Sequence, residues 1–233
     1  MSENKKYLFV TGGSGFIGKN FICKAVKTNY KIFALSRKKR KNTKNIFWVK
    51  GEINGNFKKY LKKSDIMIHF AASGVNQTFL NSNDLFKENV LKPYQFLINC
   101  CNYGPKKWII IGSASEYGKA AEKKKILNVN TSELPESNYE ISKLMFSKLA
   151  MELSRYNRIK CRVLRIFNVY GKGENKKRLF PSVRRAVKLK KKFTIFSSSQ
   201  IKDFIEINKV TDMITDTLNF KKNSSKFPQI WHI

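Results

Sequence analysis

The sequence predicts a doubly wound α/β fold, in which helices cover both faces of a parallel sheet. Short apolar runs alternate with longer helical patterns along the chain, and a glycine-rich turn follows the first run. Parallel strands need a crossover connection, usually a helix, so this alternation is typical of a parallel sheet. With 233 residues, 42% of them hydrophobic, the chain is long enough to bury a substantial core.

The predicted strands are short and apolar, as expected for strands that are buried on both faces. They are Tyr7–Val10, Lys31–Leu35, Ile46–Val49, Ile66–Ala71, Trp108–Gly112 and Arg162–Phe167. The predicted helices between them are Phe16–Lys27, Asn56–Lys62, Asp84–Cys101 and Tyr139–Tyr156. After about Gly171 the rhythm changes to a basic loop, a helix over Leu179–Lys190, a strand over Phe193–Phe196 and a helix from Asn208 to about Asn219.

The chain is strongly basic, with a formal net charge of +31 from 47 Lys and Arg against 16 Asp and Glu. Such a charge attracts anions, including nucleotides, nucleic acid and acidic membranes. A lysine-biased proteome produces the same solvated basic surface, so the charge alone does not decide between these partners. The composition does exclude a disordered chain.

Four cysteines, Cys23, Cys100, Cys101 and Cys161, have neither metal-ligand spacing nor the density of a disulfide scaffold. They are expected to be small buried hydrophobes, so we predict no metal site and a reduced, cytoplasmic setting. No stretch approaches the roughly 20 apolar residues that span a bilayer, so membrane insertion is not expected.

A glycine-rich turn over residues 11–18 joins the first predicted strand to the first predicted helix. Gly12, Gly15 and Gly18 suit the tight turn, the approach of a pyrophosphate to backbone amides, and close packing of helix on strand. A plain strand-to-helix turn is the alternative, but this strand and helix context favours a dinucleotide site.

The second predicted strand ends in Ser36-Arg37 followed by two lysines, without a carboxylate. A site selective for NAD usually places Asp or Glu there to hold the adenosine ribose hydroxyls. Cations suit a 2′-phosphate, so NADP is the predicted cofactor, with NAD as the alternative. A generic basic loop would give the same residues.

Tyr139 and Lys143 lie four residues apart and therefore share one face of the last predicted helix before residue 160. A tyrosine of unperturbed pKa, about 10, needs help to act as a base near neutrality. An ammonium beneath the phenol favours its ionised form, which makes Tyr139 a candidate proton carrier. Alone, the pair would indicate only a solvated helix face.

Together these motifs make the chain resemble the extended short-chain dehydrogenase/reductases, the nucleotide-sugar epimerase/dehydratase family. The matching pieces follow the family order over nearly the whole chain: residues 11–18, Gly51-Glu52-Ile53, His69-Phe70-Ala71-Ala72, Asn89-Val90, residues 112–118, Tyr139–Lys143, residues 165–171 and Lys202–Ile205. The resemblance implies a Rossmann domain over residues 1–170 and an incomplete small substrate-binding subdomain over residues 171–233.

The resemblance also implies roles for individual residues. Ser113, Tyr139 and Lys143 would form the catalytic triad, with Ser113 bonded to the reacting sugar oxygen and Lys143 also holding the nicotinamide ribose. The implied cofactor contacts are Gly12, Gly15, Phe16, Ile17, Gly18, Ser36, Arg37, Glu52, Ile53, Ala71, Ala72, Asn89, Tyr139, Lys143 and Phe167. In a nucleotide-diphosphate sugar, Asn168 would reach the diphosphate or the sugar, and Lys202 would pair with the diphosphate. Lys202 stands where the family usually has arginine, so a point charge replaces a bidentate clamp.

The implied reaction is hydride exchange at C4 of the sugar. Members that dehydrate their substrates carry Asp-Glu after the catalytic Ser or Thr, whereas Ala114 and Ser115 stand here and Glu116 is displaced. On a strand, a shift by one residue points a side chain the other way, which disfavours dehydration. Residues 171–175 resemble the CDP-hexose 4-ketoreductase type, and together with NADP they favour 4-keto reduction over 4-epimerisation.

Two expectations remain open at this stage. The family usually continues past the position of Ile233, so this chain is either a fragment or has an incomplete nucleotide pocket. The high charge also allows a non-catalytic relative that binds RNA or senses NADP, although the intact triad favours the enzyme and makes nucleic acid an unlikely partner. A homodimer is compatible with the resemblance.

Overall fold

The computed structural model describes residues 5–74, 81–123, 126–194, 201–220 and 227–233, and its centre is a parallel sheet of seven strands. The strands of the described residues are β1 (Lys6–Thr11), β2 (Tyr30–Ser36), β3 (Ile46–Lys50), β4 (Ile66–His69), β5 (Lys107–Ser113), β6 (Lys160–Ile166), β7 (Asn168–Tyr170), β8 (Phe204–Glu206) and β9 (Gln229–His232). The main sheet has the order β3-β2-β1-β4-β5-β6-β9, and β7 pairs with β8 in a separate parallel pair. The predicted doubly wound fold is confirmed.

The helices of the described residues are α1 (Phe16–Ala25), α2 (Lys58–Leu61), α3 (Ser82–Phe86), α4 (Lys92–Tyr103), α5 (Ala120–Lys123), α6 (Asn138–Tyr156), α7 (Leu179–Lys188) and α8 (Ile207–Asp216). A π-helical segment, Lys87–Leu91, joins α3 to α4, and a 3₁₀ turn, Ala114–Tyr117, follows β5. The six predicted strands and the four helices of the first 170 residues are present, with small differences at their ends. None of the described helices is long and apolar enough to cross a membrane.

Two hydrophobic cores lie on opposite faces of the sheet, because successive side chains of a strand point to opposite sides. From β1, Leu8 and Val10 enter the core beneath α1 and α8, whereas Phe9 enters the core beneath α4 and α6. The ring of Phe9 lies 5.6 Å from that of Phe96 on α4. Burial on both faces explains why these strands are continuous apolar runs.

Residues 171–233 contribute directly to the main sheet and its cover. β9 pairs with β6 in parallel register, with Val163 opposite Ile230, and α8 packs on α1, where Lys24 pairs with Asp212. The predicted strand over Phe193–Phe196 is wrong for its first two residues, which lie in no strand, and residues 195–196 lie outside the described residues. A domain division at residue 170 stays a prediction.

His69 ends β4 in the centre of the sheet and is 1% exposed. Its Nδ1 atom lies 2.9 Å from the Thr11 hydroxyl at the end of β1. Burial, and next the positive charge of Lys143, lower the pKa of His69 to about 3. The imidazole is therefore neutral in the folded protein near pH 7.

We predict that His69 makes the fold sensitive to mild acid. The unfolded chain protonates this imidazole below about pH 6.5 and the folded chain does not, so stability is complete above that pH and declines towards pH 3. Between pH 7 and 5 the free energy of unfolding should fall by about 2 kcal/mol through this residue. Denaturant titrations should show the loss largely removed in His69→Gln and largely retained in His232→Gln; an unchanged slope in His69→Gln contradicts the assignment.

Candidate active site

At two positions in the glycine turn between β1 and α1, the backbone lies so close to another backbone segment that a side chain would not fit. Gly12 has φ of +68°, and a Cβ atom there would lie 2.5 Å from the amide nitrogen of Ala71, just after β4. A Cβ atom on Gly18 would lie 2.4 Å from the carbonyl oxygen of Gly12. Only glycine fits either position, so the turn brings the end of β1, the end of β4 and the start of α1 together.

Gly15 differs from these two glycines because its backbone is ordinary and the contact that a Cβ atom would make there is less severe. It is the N-cap of α1 with φ of −74°, and no side chain caps the first turn of that helix. A Cβ atom on Gly15 would meet only the carbonyl oxygen of Gly12, at 3.3 Å. The unbonded amides at this helix start fit the pyrophosphate of a dinucleotide. Phe16 and Ile17 pack against the core behind the turn, and Ala72, next to Ala71, is exposed.

The basic segment after β2 is ordered around Ser36, which is 7% exposed. The Ser36 hydroxyl accepts hydrogen bonds from the Lys38 amide at 3.3 Å and from Nε of Arg40 at 3.2 Å. The Arg40 guanidinium also lies 5.0 Å from the ring centre of Trp48 on the neighbouring β3. Arg37 and Arg40 are both exposed, and the guanidinium seen in contact with Ser36 at this sheet edge is that of Arg40. Nothing in the sequence distinguishes Arg40 from its basic neighbours.

Two further predicted cofactor residues lie in the loop after β3. Glu52 is exposed, and its carboxylate lies 3.6 Å from Nζ of Lys92, which also pairs with Glu88. Ile53 is partly buried against the core beneath α4. Both residues lie at the same edge of the sheet as Ser36. Their contacts with the adenine of the cofactor stay a prediction.

The predicted triad meets where β5 ends and α6 begins. Ser113 is the last residue of β5, and Ser137 starts α6 as the serine of a capping box with Glu140. This cap fixes the first turn of α6, which carries Tyr139, and the Ser113 hydroxyl is near enough to lower the pKa of the Tyr139 phenol. The Ser113 hydroxyl also lies 2.8 Å from the Ser115 hydroxyl. One turn further, Nζ of Lys143 donates to the carbonyl oxygen of Ile111 on β5 at 2.8 Å.

Burial dominates the ionisation of both α6 residues. Burial raises the pKa of Tyr139 to about 12, and Glu116 acts in the same direction, whereas the Ser113 hydroxyl and the charge of Arg178 oppose the shift. Burial lowers the pKa of Lys143, and Glu116 opposes that shift. Without added positive charge the phenol stays protonated near neutral pH. Arg178, placed before α7 and 3.3 Å from Glu174, was not expected at this site.

Asn89 holds the loop after β4 against α6. Its side chain accepts from the Ser73 amide at 2.7 Å and donates to the Ser73 carbonyl at 3.1 Å and to the Ser142 hydroxyl at 3.0 Å. It lies in the π-helical segment and is 3% exposed. Asn89 was expected to contact the cofactor; the contacts that the structure shows are with the protein, so its direct cofactor role stays a prediction.

The predicted substrate residues lie around the β7–β8 pair. The Asn168 side chain donates to the carbonyl oxygen of Asp203 at 3.1 Å, which places it beside the backbone of Lys202. Lys202 itself is exposed. The ring of Phe167 lies 5.4 Å from that of His232. The structure thus brings Asn168 and the segment around Lys202 together. These residues form a group of contacts distinct from those of the predicted triad.

The sheet order, the glycine turn and the Ser-Tyr-Lys arrangement define a Rossmann protein of the extended short-chain dehydrogenase/reductase class. A family model described as the NAD dependent epimerase/dehydratase family matches residues 8–231, and the chain belongs to that family of enzymes.

Similar proteins include a GDP-6-deoxy-D-talose 4-dehydrogenase from Aggregatibacter actinomycetemcomitans, 28% identical over 89% of this chain and 68% of that protein. A dTDP-D-glucose 4,6-dehydratase from Dictyostelium discoideum is 27% identical over 85% of this chain and 53% of that protein. The structure of UDP-glucuronic acid 4-epimerase from Bacillus cereus, in complex with UDP-glucuronic acid and NAD, has a TM-score of 0.86 at 23% identity, covering 97% of this chain and 77% of that chain. This chain therefore spans about half to three quarters of the lengths of these proteins.

We predict that two glycines of the turn separate cofactor binding from folding. Gly15→Ala should lower thermal stability less than Gly12→Ala, because its added Cβ atom meets one backbone oxygen at 3.3 Å. It should weaken dinucleotide binding by at least about tenfold, because the methyl group would stand at the helix start that the phosphates are predicted to approach. Gly12→Ala should lower the melting temperature, because its φ and the Ala71 backbone both exclude a Cβ atom. Calorimetry with NAD and NADP, beside thermal unfolding, measures both effects. Undiminished binding in folded Gly15→Ala would place the phosphates elsewhere.

Proposed function

We propose that this chain is an NADP-dependent enzyme that exchanges a hydride at C4 of a nucleotide-diphosphate sugar, with 4-keto reduction favoured over 4-epimerisation. The observation that carries the proposal is the placement of Ser113, at the end of β5, near enough to Tyr139 to affect its pKa, with Lys143 one turn away on α6. These groups stand at the carboxyl edge of the sheet, the edge at which Rossmann folds bind ligands, together with the glycine turn.

In this proposal each member of the triad has a separate task. When bound, the cofactor supplies or accepts the hydride, and its oxidised nicotinamide ring is positively charged. In reduction, Tyr139 donates its phenolic proton to the C4 oxygen as the carbonyl becomes an alcohol; in oxidation, the phenolate takes that proton back. Ser113 hydrogen-bonds the same oxygen and aligns it with Tyr139. Lys143 stabilises the phenolate through its charge.

The surroundings of the triad support hydride exchange without dehydration. Dehydration needs a free acid beside the leaving hydroxyl, and the two positions after Ser113 carry Ala114 and Ser115. Glu116 is buried and hydrogen-bonded to protein groups, so its carboxylate is not available to a sugar. Residues 114–117 form a 3₁₀ turn, so the alternation of side chains along a strand does not apply to Glu116. The names of the talose dehydrogenase and of the 4-epimerase also specify position 4.

The positive groups near the triad suit the diphosphate of the proposed substrate. Arg178 is close enough to Tyr139 to affect its pKa, and Glu174 holds the Arg178 side chain. Asn168 and Lys202, at the β7–β8 pair, would bind the same diphosphate. An arginine offers two parallel hydrogen bonds to a phosphate, which a lysine does not. Arg178 therefore supplies the planar charge that the Lys202 position lacks.

The preference for NADP rests on the order around Ser36. A guanidinium that is hydrogen-bonded to Ser36 and packed on Trp48 is positioned for a 2′-phosphate at the end of β2. The Bacillus cereus 4-epimerase contains NAD, so NAD is the competing cofactor.

We predict that the wild-type chain binds NADP more tightly than NAD at moderate salt. Arg40→Ala should weaken NADP binding by about tenfold and leave NAD binding nearly unchanged, because it removes a charge-assisted contact to one phosphate. Lys39→Ala, an exposed neighbour, is the matched control and should have a smaller effect. Calorimetry with both dinucleotides decides: equal NAD and NADP affinities in the wild type would refute the preference.

We predict that Tyr139→Phe abolishes turnover while cofactor affinity stays nearly constant. The loss should be at least about a hundredfold, since the phenol acts on the substrate oxygen and not on the dinucleotide. The assay presents UDP, dTDP, GDP and CDP hexoses and their 4-keto forms, with reduced or oxidised cofactor, and follows cofactor absorbance and product stereochemistry. Tyr156→Phe is the control, because Tyr156 ends the same helix and is 90% exposed. Full activity in Tyr139→Phe would contradict the mechanism. RNA binding without turnover of any sugar would favour the non-catalytic alternative.

A further inference from the structure

Glu116 is a completely buried carboxylate next to the triad, at 0% exposure in the turn that follows β5. Its Oε1 atom accepts from the Ser113 amide and from the Ser147 hydroxyl, each at 2.9 Å. Its Oε2 atom accepts from Nε of Arg165 on β6 at 2.9 Å. One carboxylate thus connects β5, β6 and α6.

These contacts reach both halves of the triad. Ser113 is bound through its own backbone amide, which fixes the residue that carries the reacting hydroxyl. On α6, Ser147 follows Tyr139 and Lys143 at intervals of four residues, so all three share one helix face. Glu116 therefore holds the Tyr139 and Lys143 face of α6 at a fixed distance from Ser113.

We propose that Glu116 is a positioning residue for the triad. It aligns the triad by joining Ser113 to the face of α6 that carries Tyr139 and Lys143, and it supplies a fixed negative charge beside them. The inference rests on the proposed hydride-transfer function. Arg165 pairs with the carboxylate in its buried setting, where an unpaired charge would be costly.

The charge of Glu116 also acts on the groups that move protons. Tyr139 is faced by Glu116 and by Arg178, which shift its pKa in opposite directions. Lys143 is faced by Glu116, which favours its ammonium form, and by the neutral His69. Removing the negative charge should therefore make both Tyr139 and Lys143 lose their protons at lower pH.

A second carboxylate on Arg165 provides a matched control. Oε1 of Glu133 lies 2.7 Å from Nη2 of Arg165 and 2.9 Å from Nζ of Lys148, at the more exposed end of the same network. Glu133 is not among the groups that shift the pKa of Tyr139 or Lys143. If Glu116 served only to neutralise Arg165, losing either carboxylate would affect the triad alike.

The test compares Glu116→Gln, Glu116→Asp and Glu133→Gln in the full chain. Glu116→Gln keeps the size and removes the charge, whereas Glu116→Asp keeps the charge and shortens the reach. The first readout is NMR of the cofactor-free protein labelled with ¹³Cζ-tyrosine, titrated with base, in which the Tyr139→Phe spectrum assigns the signal. The second is the pH profile of kcat and KM with whichever nucleotide sugar the wild type turns over.

For Glu116→Gln we expect the Tyr139 signal to titrate at lower pH than in the wild type, the pH profile to shift the same way, and kcat to fall by about tenfold to a hundredfold with KM little changed. For Glu116→Asp we expect a near-normal Tyr139 titration with a reduced kcat. Glu133→Gln should leave the Tyr139 titration in place.

An unshifted Tyr139 signal in folded Glu116→Gln, or an equal shift in Glu133→Gln, would overturn the proposal. If Glu116→Gln fails to fold, full kcat in Glu116→Asp would overturn it, because the shortened side chain cannot keep both contacts. A wild type that turns over no nucleotide sugar would reject the proposed function, while the NMR titration would still decide the role of Glu116.

Discussion

A buried ion pair between Glu116 and Arg165 is the interaction on which the geometry of the active site depends. Both side chains are almost completely excluded from water, and removing one partner of such a pair typically costs about 3 to 5 kcal/mol. The Glu116 carboxylate also accepts from the Ser113 amide and the Ser147 hydroxyl, and Arg165 is linked through Glu133 to Lys148. Satisfying one buried charge thereby fixes a strand end, a helix face and a neighbouring strand relative to one another.

The parallel sheet determines where that fixed geometry lies. All of its strands point the same way, so β1, β4 and β5 end at one edge and deliver the glycine turn, Ala71 and Ser113 there. β1 lies between β2 and β4, where the chain reverses its direction of winding and leaves a crevice for a ligand. Gly12 permits the turn to approach the backbone after β4, and Asn89 ties the following loop to α6. The proposed cofactor site and the proposed triad are thus adjacent as a consequence of topology.

The sequence predicts those parts of the site that depend on local patterns. Apolar runs located six strands, strand-helix context identified the glycine turn, and the spacing of Tyr139 and Lys143 placed them on one helix face. It does not predict the contacts between Arg40 and Trp48 or between Glu116 and Arg165, because these pairs meet only in the folded sheet. Arg165 did carry a signal, since a charge within an apolar strand requires a buried partner. The strands β7, β8 and β9 are too short for periodicity to reveal them.

The most direct test of the central claim follows the hydrogen at C4 of the sugar. Nucleotide sugars deuterated at C4 are incubated with the chain and oxidised cofactor, and mass spectrometry locates the label. Hydride exchange at this site predicts that deuterium appears on the nicotinamide of the cofactor, or remains at C4 of a product with inverted configuration, and that Tyr139→Phe suppresses both. Conversion of the sugar with loss of the deuterium to water would contradict hydride transfer by Ser113, Tyr139 and Lys143.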